Sequence, residues 1–366
     1  MDMNFAYSPI IKGKLNDIKA ASQLAVDVSR WTKPVFELPP FKETDTPEQV
    51  MARFADRLSK NYSKSACYVD FPLLKIGAQT SSGETVLSAA YGQLNALSIN
   101  FEPVYGFDRD DALWPTVISQ ARKSGGMLLR LEVDDMEFVS DTLDRIQELS
   151  LRGLDLNQLD VLLDCRYLST REFSGATSDT AALFLEALAA TFNIRKVIVA
   201  GSSAPKTVTT VPKNDMRSIF RNELWLWTSL RVKGLGLDVV YGDYGVIHPD
   251  FTDLTPSPHI NGKIRYTQGQ HIHIFRGQSL RENDKYDQYR RLSHNVISSG
   301  FYQGHSASLG DRYIYDCANG QARTGSPGVW VLNDQNHHFA YATRQIQKLE
   351  ALIYRGYPIE ALLQLA

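Results

Sequence analysis

Up to about residue 250, short apolar runs rich in β-branched and aromatic residues alternate with segments of helical periodicity. The strand-like runs are Tyr7–Lys12, Pro34–Leu38, Cys67–Phe71, Glu102–Gly106, Met127–Glu132, Val161–Arg166, Lys196–Gly201 and Asp238–Asp243. Between them lie helical patterns such as Pro47–Lys60, with Val50, Phe54 and Leu58 on one face, Asp110–Lys123 and Asp179–Phe192. Thr46-Pro47-Glu48 and Ser178-Asp179 carry the chemistry of helix starts. Repeated strand–helix units build a parallel sheet, and eight of them close a (β/α)8 barrel of the TIM type. A doubly wound open sheet uses the same alternation; chain length and strand count favour the barrel.

The pattern breaks after Asp243. Residues 250–335 mix Gly, Pro, Asn and His with short strand-like pieces at Gly262–Thr267, His271–Arg276, Tyr313–Cys317 and Val329–Leu332. A helical pattern returns at about Phe339–Arg355. The expected plan is therefore a barrel over residues 1–249, a long β-rich insertion over 250–335 in the last βα loop, and a final helix within 336–366 that closes the ring. Such an insertion sits over the C-terminal mouth as a lid; a satellite β-domain for protein contacts fits the same pattern.

Parity within each run says which residues share a face. Lys12 goes with Ile10, Glu37 with Val35, Asp70 with Tyr68, Arg130 and Glu132 with Leu128, Asp164 and Arg166 with Leu162, and Asp243 with Tyr241. Each of these charges lies at the C-terminal end of its run, where a barrel presents catalytic groups; inward charges at the opposite end are not expected. Glu37, Asp70, Glu132, Asp164 and Asp243 are thus the candidate catalytic carboxylates. They would either divide acid and base roles or hold a hard divalent cation such as Mg²⁺ or Mn²⁺. No His stands at a strand end and no HExxH pattern occurs there, which weakens the metal option. Lys12, Arg130 and Arg166 would neutralise an anionic ligand, Arg being suited to bidentate contact. The competing reading is a ring of ion pairs between neighbouring strands, which contributes little to stability once desolvation is counted.

The loops after the last two runs add candidates. Ser202 and Ser203 in Gly201-Ser-Ser-Ala-Pro-Lys206, and Tyr244 in Gly242-Asp-Tyr-Gly245, stand where many barrels bind phosphate through backbone N–H groups. An ordinary polar loop and a tight turn explain them equally well. His271 and His273, at i and i+2, and Arg276 beyond them line one run of the insertion; a third metal ligand at a defined distance is missing. His337-His338 begins the last helix, as a general base or as a cap. Cations from Lys263 to Arg323 interleave with Tyr266, Phe275, Tyr289 and Phe301, a mixture that can track a nucleic-acid strand but more often is the polar face of a domain.

Composition narrows the classes. Lys and Arg number 39 against 41 Asp and Glu, so no overall field draws the chain to nucleic acid or a membrane. Three distant cysteines without a CxxC pair exclude a disulfide framework or zinc ribbon and fit a reducing cytoplasm. The N-terminus lacks a cationic region followed by a long apolar one, and the apolar window at 181–192 is short and contains Glu186, so neither a secretory signal nor a bilayer span is expected.

The segments YSPIIKGKLNDIKA (7–20), KPVFELPP (33–40), VVYGDYGVIHPDF (239–251) and NHHFAYATRQI (336–346) resemble the phage "beta protein" family, the group named for a T-even phage protein. The resemblance spans nearly the whole chain and is carried by the spacing of these segments. It implies a role in phage–host conflict and no particular reaction. The residues support a hydrolase or lyase acting on a phosphorylated or nucleotide-like substrate. Two other readings stay open: a non-catalytic component of a defence or counter-defence complex with a protein partner, and a nucleic-acid binder acting through the insertion.

Overall fold

The computed structural model describes residues 5–41, 45–63, 65–251, 260–281 and 284–365. Its strands are β1 (Tyr7–Lys12), β2 (Val35–Glu37), β3 (Cys67–Asp70), β4 (Phe101–Gly106), β5 (Met127–Leu131), β6 (Leu159–Tyr167), β7 (Lys196–Ser202), β8 (Asp215–Phe220), β9 (Val239–Asp243), β10 (Asn261–Gln268) and β11 (His271–Ser279). A closed parallel barrel runs in the order β1-β2-β3-β4-β5-β6-β7-β9, so the TIM-type architecture is the observed one. The strand alternation separates two apolar layers. Ile10, Val35, Tyr68, Val104, Leu128, Leu162, Ile198 and Val240 fill the barrel interior. The intervening residues, among them Tyr7, Phe36, Val69, Leu129, Val161, Val199 and Tyr241, pack outward against the helices.

The helices form where periodicity and caps coincide. Thr46 and Gln49 make a reciprocal capping box at the start of Pro47–Tyr62, with the proline at its first position. The helix expected at Asp179 begins earlier, at Arg171, where the Thr170 hydroxyl accepts from the Phe173 N–H. Trp227 in the helix Asn222–Arg231 is buried and donates its indole N–H to the Val239 carbonyl, holding that helix to β9.

The insertion differs from its expected form in two respects. β10 and β11 are the anticipated strands, but the sheet they enter has the order β10-β11-β8, and β8 comes from the loop after β7. The two loops following the last barrel strands therefore build one antiparallel sheet together. Tyr313–Cys317 and Val329–Leu332 are helical rather than extended, falling in Leu309–Ala318 and in the long helix Pro327–Tyr354. Both apolar runs were too short to separate strand from helix by periodicity; the Ser308 hydroxyl, accepting from the Asp311 N–H at 3.0 Å, starts the first helix, and Pro327 the second. Ile264, Tyr266, Tyr289, Ile314 and Trp330 give the insertion a core of its own.

Charge is also buried at the N-terminal end of the barrel, against expectation. Lys33 pairs with Glu102 at 2.6 Å, Arg195 reaches Asp160 at 2.8 Å, and the Tyr68 hydroxyl donates to Asp160. Lys33 also lies over the Tyr68 ring at 3.8 Å. These cations and carboxylates plug the bottom as a mutually neutralised set. No described helix is long and apolar enough to cross a membrane.

Candidate functional site

The C-terminal ends of five barrel strands bring charge together at the mouth. Arg130, from β5, is its centre. Nη1 donates to Glu37 Oε1 at 2.8 Å and to Asp70 Oδ2 at 2.6 Å; Nε donates to Asp164 Oδ2 at 3.1 Å; Nη2 donates to the Tyr244 hydroxyl at 2.8 Å. The Tyr244 hydroxyl in turn donates to Asp164 at 2.7 Å. Gly106, at the end of β4, leaves the room: a Cβ there would come within 2.8 Å of the Arg130 carbonyl. Asp70 also accepts from Arg109, which lies in the loop after β4 and carries no strand pattern that would have marked it. Lys12 pairs with Glu37 at 3.1 Å, donates to the Pro249 carbonyl and lies 4.0 Å from the centre of the Phe251 ring, so the chain after β9 folds back over the mouth. Residues 252–259 lie outside the described residues.

These groups are buried, and their proton affinities follow from their partners. Burial alone would raise the Asp70 and Asp164 carboxyls. Arg109 and Arg130 beside the first, and Arg130 and Arg166 beside the second, hold both below the usual carboxylate range. Burial lowers the Lys12 ammonium despite Glu37.

The rim is different. Glu132 follows β5 and is exposed as a residue, yet its carboxyl is raised by partial burial and by the negative charges of Asp164 and Asp108. Arg166 occupies the left-handed region at φ 51°, where β6 departs from its register with β7. Its backbone N–H donates to Asp164 Oδ1 at 3.1 Å, and its Nη2 reaches Asp250 Oδ1 at 3.0 Å. Lys206 Nζ approaches the other oxygen of Asp250 at 3.3 Å, and His248 Nδ1 stands 3.7 Å from it. Asp250, Lys206 and His248 sit in loops without periodicity; only the bunching of polar residues around the last two barrel strands hinted at them.

Of the sequence-derived candidates, Lys12, Glu37, Asp70, Arg130, Glu132, Asp164, Arg166 and Tyr244 meet at this mouth. Asp243 does not, which corrects its placement among the mouth carboxylates. It shares parity with Tyr241, and that face points outward; it accepts from the Tyr7 hydroxyl at 2.5 Å, the Tyr241 hydroxyl at 2.8 Å and the Gly245 N–H at 2.8 Å, and meets His338 Nε2 at 2.8 Å. Burial would raise its carboxyl, but His338 and Arg221 hold it at about 2. Ser202 and Ser203 are committed to the fold: Ser202 donates to the Ile247 carbonyl, Ser203 to Glu223. His271, His273 and Arg276 lie on β11. His273 bonds Ser218 and stacks on Phe301, His271 meets the edge of Phe220, and Arg276 donates to the Thr209 and Val211 carbonyls. Among the described residues no group of three or more His, Cys, Asp or Glu is placed to hold a metal ion; the mouth carboxylates turn to Arg130 instead.

The chain is similar in shape to a type I 3-dehydroquinate dehydratase from Clostridium difficile, solved with covalently modified comenic acid. The identity is 12% and the TM-score 0.41, over 69% of this chain and 90% of that one. No curated protein matches the chain. A family model described as Beta protein matches residues 7–344, nearly the whole sequence, and the chain therefore belongs to the Beta protein family.

Proposed function

We propose that the barrel binds a small anionic ligand, phosphorylated or nucleotide-like, at the rim of its C-terminal mouth and acts on it as a hydrolase or lyase. The reading rests on Asp250, whose carboxylate bridges Arg166 and Lys206 beside His248. A carboxylate held by two cations at an accessible rim occupies the position that a ligand phosphate or carboxylate would take. Glu132 is the group for proton transfer, since its raised carboxyl brings it closer to neutral pH than an ordinary glutamate. Arg130, Glu37, Asp70, Asp164 and Lys12 position that rim from below and do not themselves touch the ligand.

Calorimetric titration with inorganic pyrophosphate tests this. Arg166→Gln and Lys206→Gln should each weaken binding by about tenfold. Asp250→Asn removes the internal competitor and should tighten it. A weaker or unchanged affinity in Asp250→Asn would sink the reading.

A second reading has one observation in its favour: the buried mouth charges satisfy one another, with Arg130 alone meeting three carboxylates. On that reading the protein is a non-catalytic part of a complex in phage–host conflict, docking through the insertion. It predicts partner binding that survives Glu132→Gln, and a steep salt dependence if the partner is nucleic acid.

A further inference from the structure

We infer that the rim site takes a nucleoside diphosphate, its phosphates on Arg166 and Lys206 and its base stacked on the ring of Tyr167. The inference rests on the anion-binding reading of the rim and adds to it a class of molecule and a specificity residue. Its first support is the position of Tyr167. Along β6, Val161, Leu163 and Cys165 point outward and are buried against the helices. Strand alternation would send Tyr167 into the same layer. Arg166 instead takes φ 51°, and the register with β7 shifts between Asp164 and Tyr167, so the tyrosine is left 36% exposed at the rim. A ring placed there contributes little to the core and is open to an aromatic partner from solution.

What lies against Tyr167 names the ligand. The His248 ring stands beside it, with centroids 4.8 Å apart and planes inclined at 42°. That imidazole is held neutral: burial lowers its affinity for a proton, and Nδ1 accepts the Asp250 N–H at 3.1 Å. Two residues further on, the Asp250 carboxylate lies between Arg166 Nη2 at 3.0 Å and Lys206 Nζ at 3.3 Å. Residues 248–250 thus set a neutral nitrogen heterocycle against the tyrosine and an anion against the two cations. A nucleotide presents the same pair, base and phosphates, in one molecule. Arg166 and Tyr167 are consecutive, with Cα atoms about 3.8 Å apart, so cation and ring stand side by side within reach of a single nucleotide. Stacking on an aromatic ring adds affinity for any base, whereas an inorganic or sugar phosphate offers that ring nothing.

The experiment titrates the full chain calorimetrically with ADP, with UDP and with inorganic pyrophosphate at constant ionic strength, and reads the ratio of nucleotide to pyrophosphate affinity. At least one nucleotide should bind about tenfold more tightly than pyrophosphate, in the parent or in His248→Ala, which removes the ring's internal occupant. Tyr167→Ala should bring the ratio down to about one, and Tyr167→Trp should keep it. A ratio near one in both the parent and His248→Ala, or a preference that survives Tyr167→Ala, overturns the inference and leaves the rim reading standing. Failure of all three molecules to bind, or a pyrophosphate affinity indifferent to Arg166→Gln and Lys206→Gln, sinks the rim reading itself and the inference with it.

Discussion

The Arg130 guanidinium lies against the Asp164 carboxylate, Nε 3.1 Å from Oδ2, and this contact joins β5 to β6 at the buried mouth. The same guanidinium also meets Glu37 and Asp70, so three carboxylates share one central cation, while Lys12, Arg109 and Arg166 each stand beside one of them as a second. Removing one partner of a buried ionic set leaves the others uncompensated in a medium that solvates them poorly. Arg130→Met should therefore cost about 3–5 kcal/mol in urea unfolding at neutral pH. A loss below about 1 kcal/mol would mean that water reaches the mouth and that the pairs are solvated like surface ones.

Glu132 stands two residues beyond Arg130 and behaves oppositely. It belongs to the exposed rim, and its ionised form is disfavoured by partial burial and by Asp164 and Asp108. The unfolded chain releases this proton at a lower pH than the folded one, so the charge works against the fold at pH 7. Glu132→Gln should leave stability within about 0.5 kcal/mol of the parent or slightly above it. If the rim is catalytic, the same variant should retain pyrophosphate binding and lose turnover. A marked drop in unfolding free energy would assign Glu132 to the structural network.

Arg166 holds a backbone conformation that favours glycine, φ 51°, while its side chain bridges toward Tyr244 and Asp250. A non-glycine residue there carries strain of about 1 kcal/mol, of the kind that collects at functional sites. Arg166→Gly should relieve it and match or exceed parental stability by up to about 1 kcal/mol, while losing affinity for pyrophosphate. Loss of both together would make Arg166 a structural brace, its ion pairs outweighing the backbone term.

The barrel was legible because its strands repeat the same device, an apolar residue facing in and another facing out, and all but β4 and β7 carry a charge at the C-terminal end. Direction was not. Tyr241 and Asp243 share a face, as parity required, but which face looks inward depends on what fills the barrel. In β9 the inward positions are Val240 and Gly242, and Gly242 is crowded: a Cβ there would lie 2.8 Å from the Ala200 Cβ. The larger tyrosine and the aspartate go out to Tyr7 and His338. β8 escaped because its surface is largely open to water, with Ile219 packed against the core beneath, and gives no apolar alternation. Arg109, Lys206 and Asp250 come from loops, where periodicity says nothing, and only the closed barrel brings them to one rim.

Asp334 provides the pH test. It is buried on the long helix, the Arg265 guanidinium stands 3.7 Å off, and burial pushes its carboxyl up to about 7. Between about pH 4, where the unfolded side chain ionises, and pH 7, the folded state binds the extra proton. Stability from this group is thus full below the unfolded value and falls as the pH rises through the folded one, by an amount on the order of 4 kcal/mol. Asp334→Asn cannot ionise, so its stability relative to the parent should climb across that window and level off above it. Glu223, also raised to about 7 by burial, adds a second contribution of the same sign that Asp334→Asn leaves in place. Unfolding free energies of parent and variant at pH 4.5, 6 and 8 give the answer: two parallel curves would mean that Asp334 stays ionised in the folded protein, its charge compensated by Arg265.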